Sequence, residues 1–129
     1  MRLLLALDRL DGAAVARGVV AAGLPAPDVY PVAGGLDATF DVRMRAAFAV
    51  VAGEPVLDRD TVDGRIAGEI AVRARQAGVP CHAIVGADRL DRFGKRILDL
   101  QHVLEASGGG LEAAGARLAR LLMTDVMPD

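Results

Sequence analysis

Short apolar runs along this chain alternate with stretches whose apolar positions return every three or four residues, and that alternation predicts a parallel sheet covered by helices. Residues 2–7 (RLLLAL) read as a first strand, since apolar character without a polar face suits a strand buried on both sides. Residues 12–22 follow as a helix, ended by Gly23 and Pro25. A short second strand is expected over 29–32, then a turn at Gly34 and Gly35 and a weak helix over 39–45. The third strand, 47–52, is expected to stop at Gly53. The next helix has the clearest period: Val62, Ile66, Ile70 and Ala74 share one face, and Arg65, Glu69 and Arg73 another, where Glu69 and Arg73 can pair.

Asp60 or Thr61 is the expected cap of that helix, and Gly78 with Pro80 ends it. A fourth strand over 81–85 closes at Gly86. A helical turn at 88–93 and a fifth strand at 97–100 follow. After a flexible 107–110, with the glycines of 108–110 as a hinge, a last helix sets Leu111, Ala114, Leu118 and Leu122 on one side, and the tail 124–129 reads as frayed. The expected fold class is α/β: a three-layer, mostly parallel sheet of about five strands flanked by helices, Rossmann-like, in a single domain spanning 1–129.

Composition narrows this picture. A chain of 129 residues fits one domain that buries roughly two thirds of its unfolded surface. With 53% hydrophobic but only 3% aromatic residues, its core must be built from closely packed Leu, Val, Ile and Ala. The net charge of −2 gives no general attraction to a phosphate backbone, so nucleic acid is not an expected partner. Cys81 is the single cysteine, which excludes an internal disulfide and suits a reducing cytoplasm. Asp8 interrupts the opening apolar run well short of a signal sequence, and no later run approaches the ~20 apolar residues of a membrane span.

In an open parallel sheet, ligands gather beyond the carboxyl ends of the strands, where loops feed helix N-termini. Four stretches lie there: 8–11, 34–39, 53–64 and 86–91. The third is the richest, because Glu54 and Asp58 follow a strand and Thr61 with Gly64 opens a helix; oxygen ligands of this kind suit Mg²⁺ or a substrate hydroxyl. Helix capping and a solvated carboxylate explain the same residues without a ligand. Asp8 and Asp11 suit a hydroxyl or a metal, with capping again the plainer role for Asp11. Gly34 and Gly35 either let backbone approach a small anion or simply turn the chain. Neither standard phosphate-loop pattern is present. Cys81 and His82, as strand neighbours, point to opposite faces, so Cys81 reads as core, and His102 has no partner evident from the sequence.

Three separated segments resemble one family. "GEPVLD", "DTVDGR" and "PCHAIVG", set around a helix, resemble the closing segment of the bacterial single-chain glycerate kinases, with its G-E-G-R-L/I-D, Q-[ST]-x-x-G-K and P-V-x-x-I-A-G motifs. "LLLALDRLDGAAVA" is similar to the family's opening strand and A-P-D-S-F-K-G turn, and "PVAGGLDAT" to its P-x-A-D-G-G-E-G-T motif. The resemblance implies ATP-dependent phosphoryl transfer to glycerate or a similar small hydroxy acid, with Mg²⁺, in a cleft between two domains. Carried over residue by residue, it implies Asp8, Glu54 and Asp58 as catalytic positions. Gly35, Thr39, Gly53, Thr61, Gly64 and Arg65 become substrate-binding positions, and Glu54 with Asp58 the metal-facing pair.

The departures fall on charges: Asp11 stands where the family has lysine, Gly34 where it has aspartate, Asp37 where it has glutamate, Val56 where it has arginine and Arg65 where it has lysine. The second domain that the family places between Thr39 and the strand near Ala47 has no counterpart in this sequence. Two functions are therefore open. One is a phosphotransferase; the other is a non-catalytic domain that binds a small anion or packs against a second copy or a partner supplying the absent half.

Overall fold

The computed structural model describes residues 1–107 and 110–126. Five parallel strands form one sheet in the order β2-β1-β3-β4-β5, where β1 is Leu3–Leu7, β2 Asp28–Val29, β3 Ala49–Leu57, β4 Cys81–Asp88 and β5 Leu100–Glu105. Helices α1 (Gly12–Ala21) and α6 (Gly110–Val126) cover one face. The other carries α2 (Ala38–Ala46), α3 (Arg59–Val62), α4 (Ile66–Ala77) and α5 (Arg92–Ile97). This is the three-layer α/β fold that the alternation predicts. Among the described residues no helix is long and apolar enough to cross a membrane.

Strand parity divides the core into two. Leu4, Ala6, Val50, Ala52, Ala83 and Val85 pack toward Phe40, Met44, Ile70 and Ala74 of α2 and α4. Leu3, Leu5, Val51 and Ile84 pack toward Val15 and Val19 of α1 and Ala114 and Leu118 of α6. A core this poor in aromatic rings reaches native density by bringing backbones close. A Cβ on Gly18 of α1 would lie 1.9 Å from the carbonyl oxygen of Glu112 in α6, and one on Gly115 would lie 2.3 Å from that of Val15. Cys81 is a small core residue, as expected, and burial pushes its thiol up to about 12. We predict that native protein at pH 8 leaves Cys81 unmodified by iodoacetamide while urea-unfolded chain is alkylated fully; stoichiometric alkylation of folded protein, read by mass spectrometry, would contradict this placement.

Several boundaries differ from the sequence expectation. β3 does not stop at Gly53 but runs to Leu57, because β4 keeps pairing with it as far as Leu57 and Asp88. β2 ends at Val29, before Pro31, which has no N–H to give a ladder. The periodic helix is two helices: Gly64 takes φ +134°, a conformation open to glycine, and separates α3 from α4. Asp58, rather than Asp60 or Thr61, caps α3.

The fifth strand lies at Leu100–Glu105, and Ile97 closes α5, whose cap is Asp91. α6 continues through Val126, so the expected fraying does not begin at Thr124. Residues 108, 109 and 127–129, part of the expected hinge and tail, lie outside the described residues.

Candidate functional site

In the order 2-1-3-4-5, the chain leaves β1 toward one edge of the sheet and β3 toward the other, so their carboxyl ends frame the switch point at which open α/β sheets bind ligands. Asp8 stands there. Its N–H donates to the Gly53 carbonyl at 2.8 Å, and its carboxylate, about a quarter exposed, meets Nε of Arg9 at 3.3 Å. Arg9 has φ +58°, a left-handed conformation uncommon outside glycine, and its side chain is largely exposed. Sequence reasoning passed over Arg9; only its position directly after the first strand could have singled it out. Asp11 caps α1, accepting the N–H groups of Ala13 and Ala14 at 3.0 and 3.3 Å.

The loop after β2 follows the same rim. Gly35 adopts φ +87° and donates its N–H to Val32, which makes it a turn residue, and Thr39 is exposed on the first turn of α2. Asp37 caps α2 through the Phe40 N–H and accepts the Tyr30 hydroxyl at 2.8 Å; that hydrogen bond holds its carboxyl below the usual carboxylate range. Arg43 lies over the Tyr30 ring and pairs with Asp28. Gly35 and Thr39 thus sit at the carboxyl edge with Asp8 but share no hydrogen bond with it.

The carboxyl end of β3 holds a tighter cluster. Glu54 is fully buried on the α4 side of the sheet. Its Oε2 accepts the Thr61 hydroxyl at 2.5 Å, and its Oε1 lies 3.3 Å from Nη1 of Arg65. The same Nη1 is 3.5 Å from Oδ1 of Asp58, while Nη2 is 3.1 Å from Oδ2 of Asp60. Thr61 Oγ1 also accepts the Asp58 N–H at 3.1 Å, completing a capping box. Gly68 permits the fit, since a Cβ there would lie 1.9 Å from the Thr61 carbonyl oxygen. The hydrogen bond to Glu54, ahead of the charges of Asp58 and Asp60, raises Arg65 above the ordinary guanidinium value.

This geometry redistributes the expected roles. Glu54, Asp58, Thr61 and Arg65 come together, but Glu54 and Thr61 face inward and only Asp58 and Arg65 are partly exposed. Gly53 is a packing glycine within β3: a Cβ there would lie 2.4 Å from the Ile84 carbonyl oxygen and 2.6 Å from Cδ2 of Leu7. Gly64 is the break between α3 and α4. Arg65 occupies the space between Glu54 and Asp58 that a metal ion would need. Among the described residues no group of three or more His, Cys, Asp or Glu side chains is placed to hold a metal. The side chains present do not fit a resident Mg²⁺, which asks for near-octahedral oxygen ligands.

β4 ends in a further pair, of which Asp88 lies in the expected stretch 86–91 and Lys95 does not: Lys95 of α5 lies 2.6 Å from Oδ2 of Asp88, whose N–H donates to Glu105.

A model of the glycerate kinase family matches residues 14–123. The chain belongs to the glycerate kinase family. The match covers the strand, turn and helix that carry Glu54, Asp58, Thr61 and Arg65, whereas Asp8 and Asp11 lie before it. In this member of the glycerate kinase family, α2 passes into β3 through Ala47 and Phe48 alone, so no second domain is inserted there. No curated protein and no solved structure matches the chain.

Proposed function

We propose that this glycerate kinase family domain binds a small hydroxy acid, glycerate or a close relative, at the rim framed by β1 and β3, and that the binding serves phosphoryl transfer from ATP to the acid's hydroxyl. The observation that supports this reading best is the family match across the β3–α4 cluster. Asp8 and Asp58, both partly exposed, are the carboxylates able to accept a substrate hydroxyl. The exposed guanidinium of Arg9 and the outer side of Arg65 suit the acid's carboxylate. Glu54 and Thr61 act through Arg65 by fixing its position. Mg²⁺ enters this proposal as the counterion of ATP, and none of these steps is routed through it.

A second reading, binding without transfer, is favoured by one feature: the charge of Arg65 is already shared among Glu54, Asp58 and Asp60, and phosphoryl transfer depends on cations that offset phosphate charge. Calorimetric titration of the purified chain with glycerate, with ATP and Mg²⁺, and with all three, combined with an ADP-release assay, separates the two. We expect heat of binding with glycerate and glycerate-dependent ADP release. Glycerate binding without ADP release would replace the first reading by the second. The absence of binding under every combination would remove both.

A further inference from the structure

At the end of the sheet opposite the rim lies a cluster that the proposed function does not use. His82, the second residue of β4, is 1% exposed and faces α6. Its Nδ1 accepts the backbone N–H of His102 at 3.3 Å. The two imidazoles stack with centroids 5.1 Å apart and planes 20° from parallel. Nε2 of His102 lies 2.8 Å from Oδ2 of Asp125, in the last turn of α6.

Strand register explains the arrangement. Cys81 pairs with Leu100 and Ala83 with Val103, so β5 has one residue more than β4 across this interval. An extra residue turns side chains away from strict alternation and leaves an N–H without a ladder acceptor. Here the His82 ring nitrogen takes the place of that acceptor, and His102 is turned onto the ring.

We propose that His82, His102 and Asp125 form an acid-released catch holding the last turns of α6 to β4 and β5. The catch needs a bare Nδ1 on His82, because a protonated nitrogen cannot accept the His102 N–H. Protonation would also place a cation in a buried site against a second imidazole. The groups facing His82 are few. From β5 there is His102; from α6 there is Asp125; the β3 partner is Val51, which does not titrate. Arg117 and Glu105 lie further along and are joined through the Glu105 carbonyl.

Burial, reinforced by His102, lowers His82 from 6.5 to about 4. A lowered histidine value means that the opened state binds more protons than the closed state between those two limits. Acid therefore favours opening, with no effect above the upper limit and the full effect below the lower one. The expected shift in the opening equilibrium at pH 4 relative to pH 8 is on the order of a hundredfold.

The test is amide exchange read by NMR on the intact chain from pH 8 to pH 4, expressed as protection factors corrected for intrinsic rates, beside the ring ¹⁵N shifts of His82. The expected result is that protection at 122–125 falls at least tenfold more than protection in β1 and β3, the fall beginning below pH 6.5 and levelling off where the His82 ring of the closed protein titrates. His82→Asn, whose side-chain oxygen can accept the same N–H but does not titrate, should keep that protection at pH 4. Equal loss throughout the molecule, or titration of His82 with protection at 122–125 unchanged, would overturn the proposal. If His82→Asn does not fold, Asp125→Ala decides: at pH 7 it should show the weak protection that the natural chain shows at pH 4, and protection equal to the natural chain would be a refutation.

Discussion

Replacing Gly18 by alanine is expected to cost about 3 kcal/mol of folding stability or more, the upper range for forcing atoms into a packed interior. The added Cβ would meet three backbone atoms of α6 at once: the Glu112 carbonyl oxygen at 1.9 Å, its carbon at 2.8 Å and the Ala116 nitrogen at 2.8 Å. Backbone in the middle of a helix cannot rotate aside as a side chain does, so α1 and α6 must move apart. Moving apart thins the contacts of Val15, Val19, Ala114 and Leu118. An exposed alanine is worth up to about 1 kcal/mol over glycine in a helix, which offsets only part of the loss. Urea denaturation measures the effect, and Gly18→Ala within 0.5 kcal/mol of the natural chain would show that the two helices are not in this close contact.

Removing the Arg65 guanidinium should be nearly as damaging. Arg65→Ala leaves the fully buried Glu54 carboxyl with one hydroxyl for company, and removing one partner of a buried pair costs about 3–5 kcal/mol in comparable sites. The contacts of Arg65 to Asp58 and Asp60 add little, because Asp60 is largely exposed. The double variant Arg65→Ala with Glu54→Gln tests the cause: a neutral amide still accepts the Thr61 hydroxyl and leaves no charge without a partner. It should recover at least about 1 kcal/mol relative to Arg65→Ala alone. A double variant no more stable than the single one would mean that packing of the arginine stem, not charge, is what matters. Because Arg65 also belongs to the proposed hydroxy-acid rim, the folded fraction must be measured before any loss of glycerate binding is assigned to contact.

The sequence made the layers legible and left the register obscure. The unbroken apolar run LLLAL marks a strand covered on both faces, and β1 is buried throughout. The long periodic helix failed at Gly64 because Val62 and Ile66 keep a four-residue spacing across the break, so a pattern read in one dimension joined two helices. Ile97 and Leu98 look like the start of a strand, but Ile97 is the exposed last residue of α5 and Leu98 packs into the core behind it, whereas the real strand contains Gln101 and His102 at an irregular register.

The site was legible as a place and less so as an arrangement. Glu54, Asp58 and Thr61 stand out in the stretch 53–64, Arg65 follows from the family resemblance, and the four meet. That Arg65 lies between the two carboxylates depends on which face of β3 presents Glu54, and the expected end of the strand at Gly53 concealed that. His82, His102 and Asp125 are separated by 20 and 23 residues and meet only through a strand irregularity, for which the chain carries no local signal.

The bare backbone contact between α1 and α6 also sets the order of assembly during synthesis. α1 is made before four of the five strands, yet its glycine face has no cover until α6, made after the whole sheet, has left the ribosome. A nascent chain halted after β5 would leave the Gly18 groove of α1 without the helix backbone that fills it.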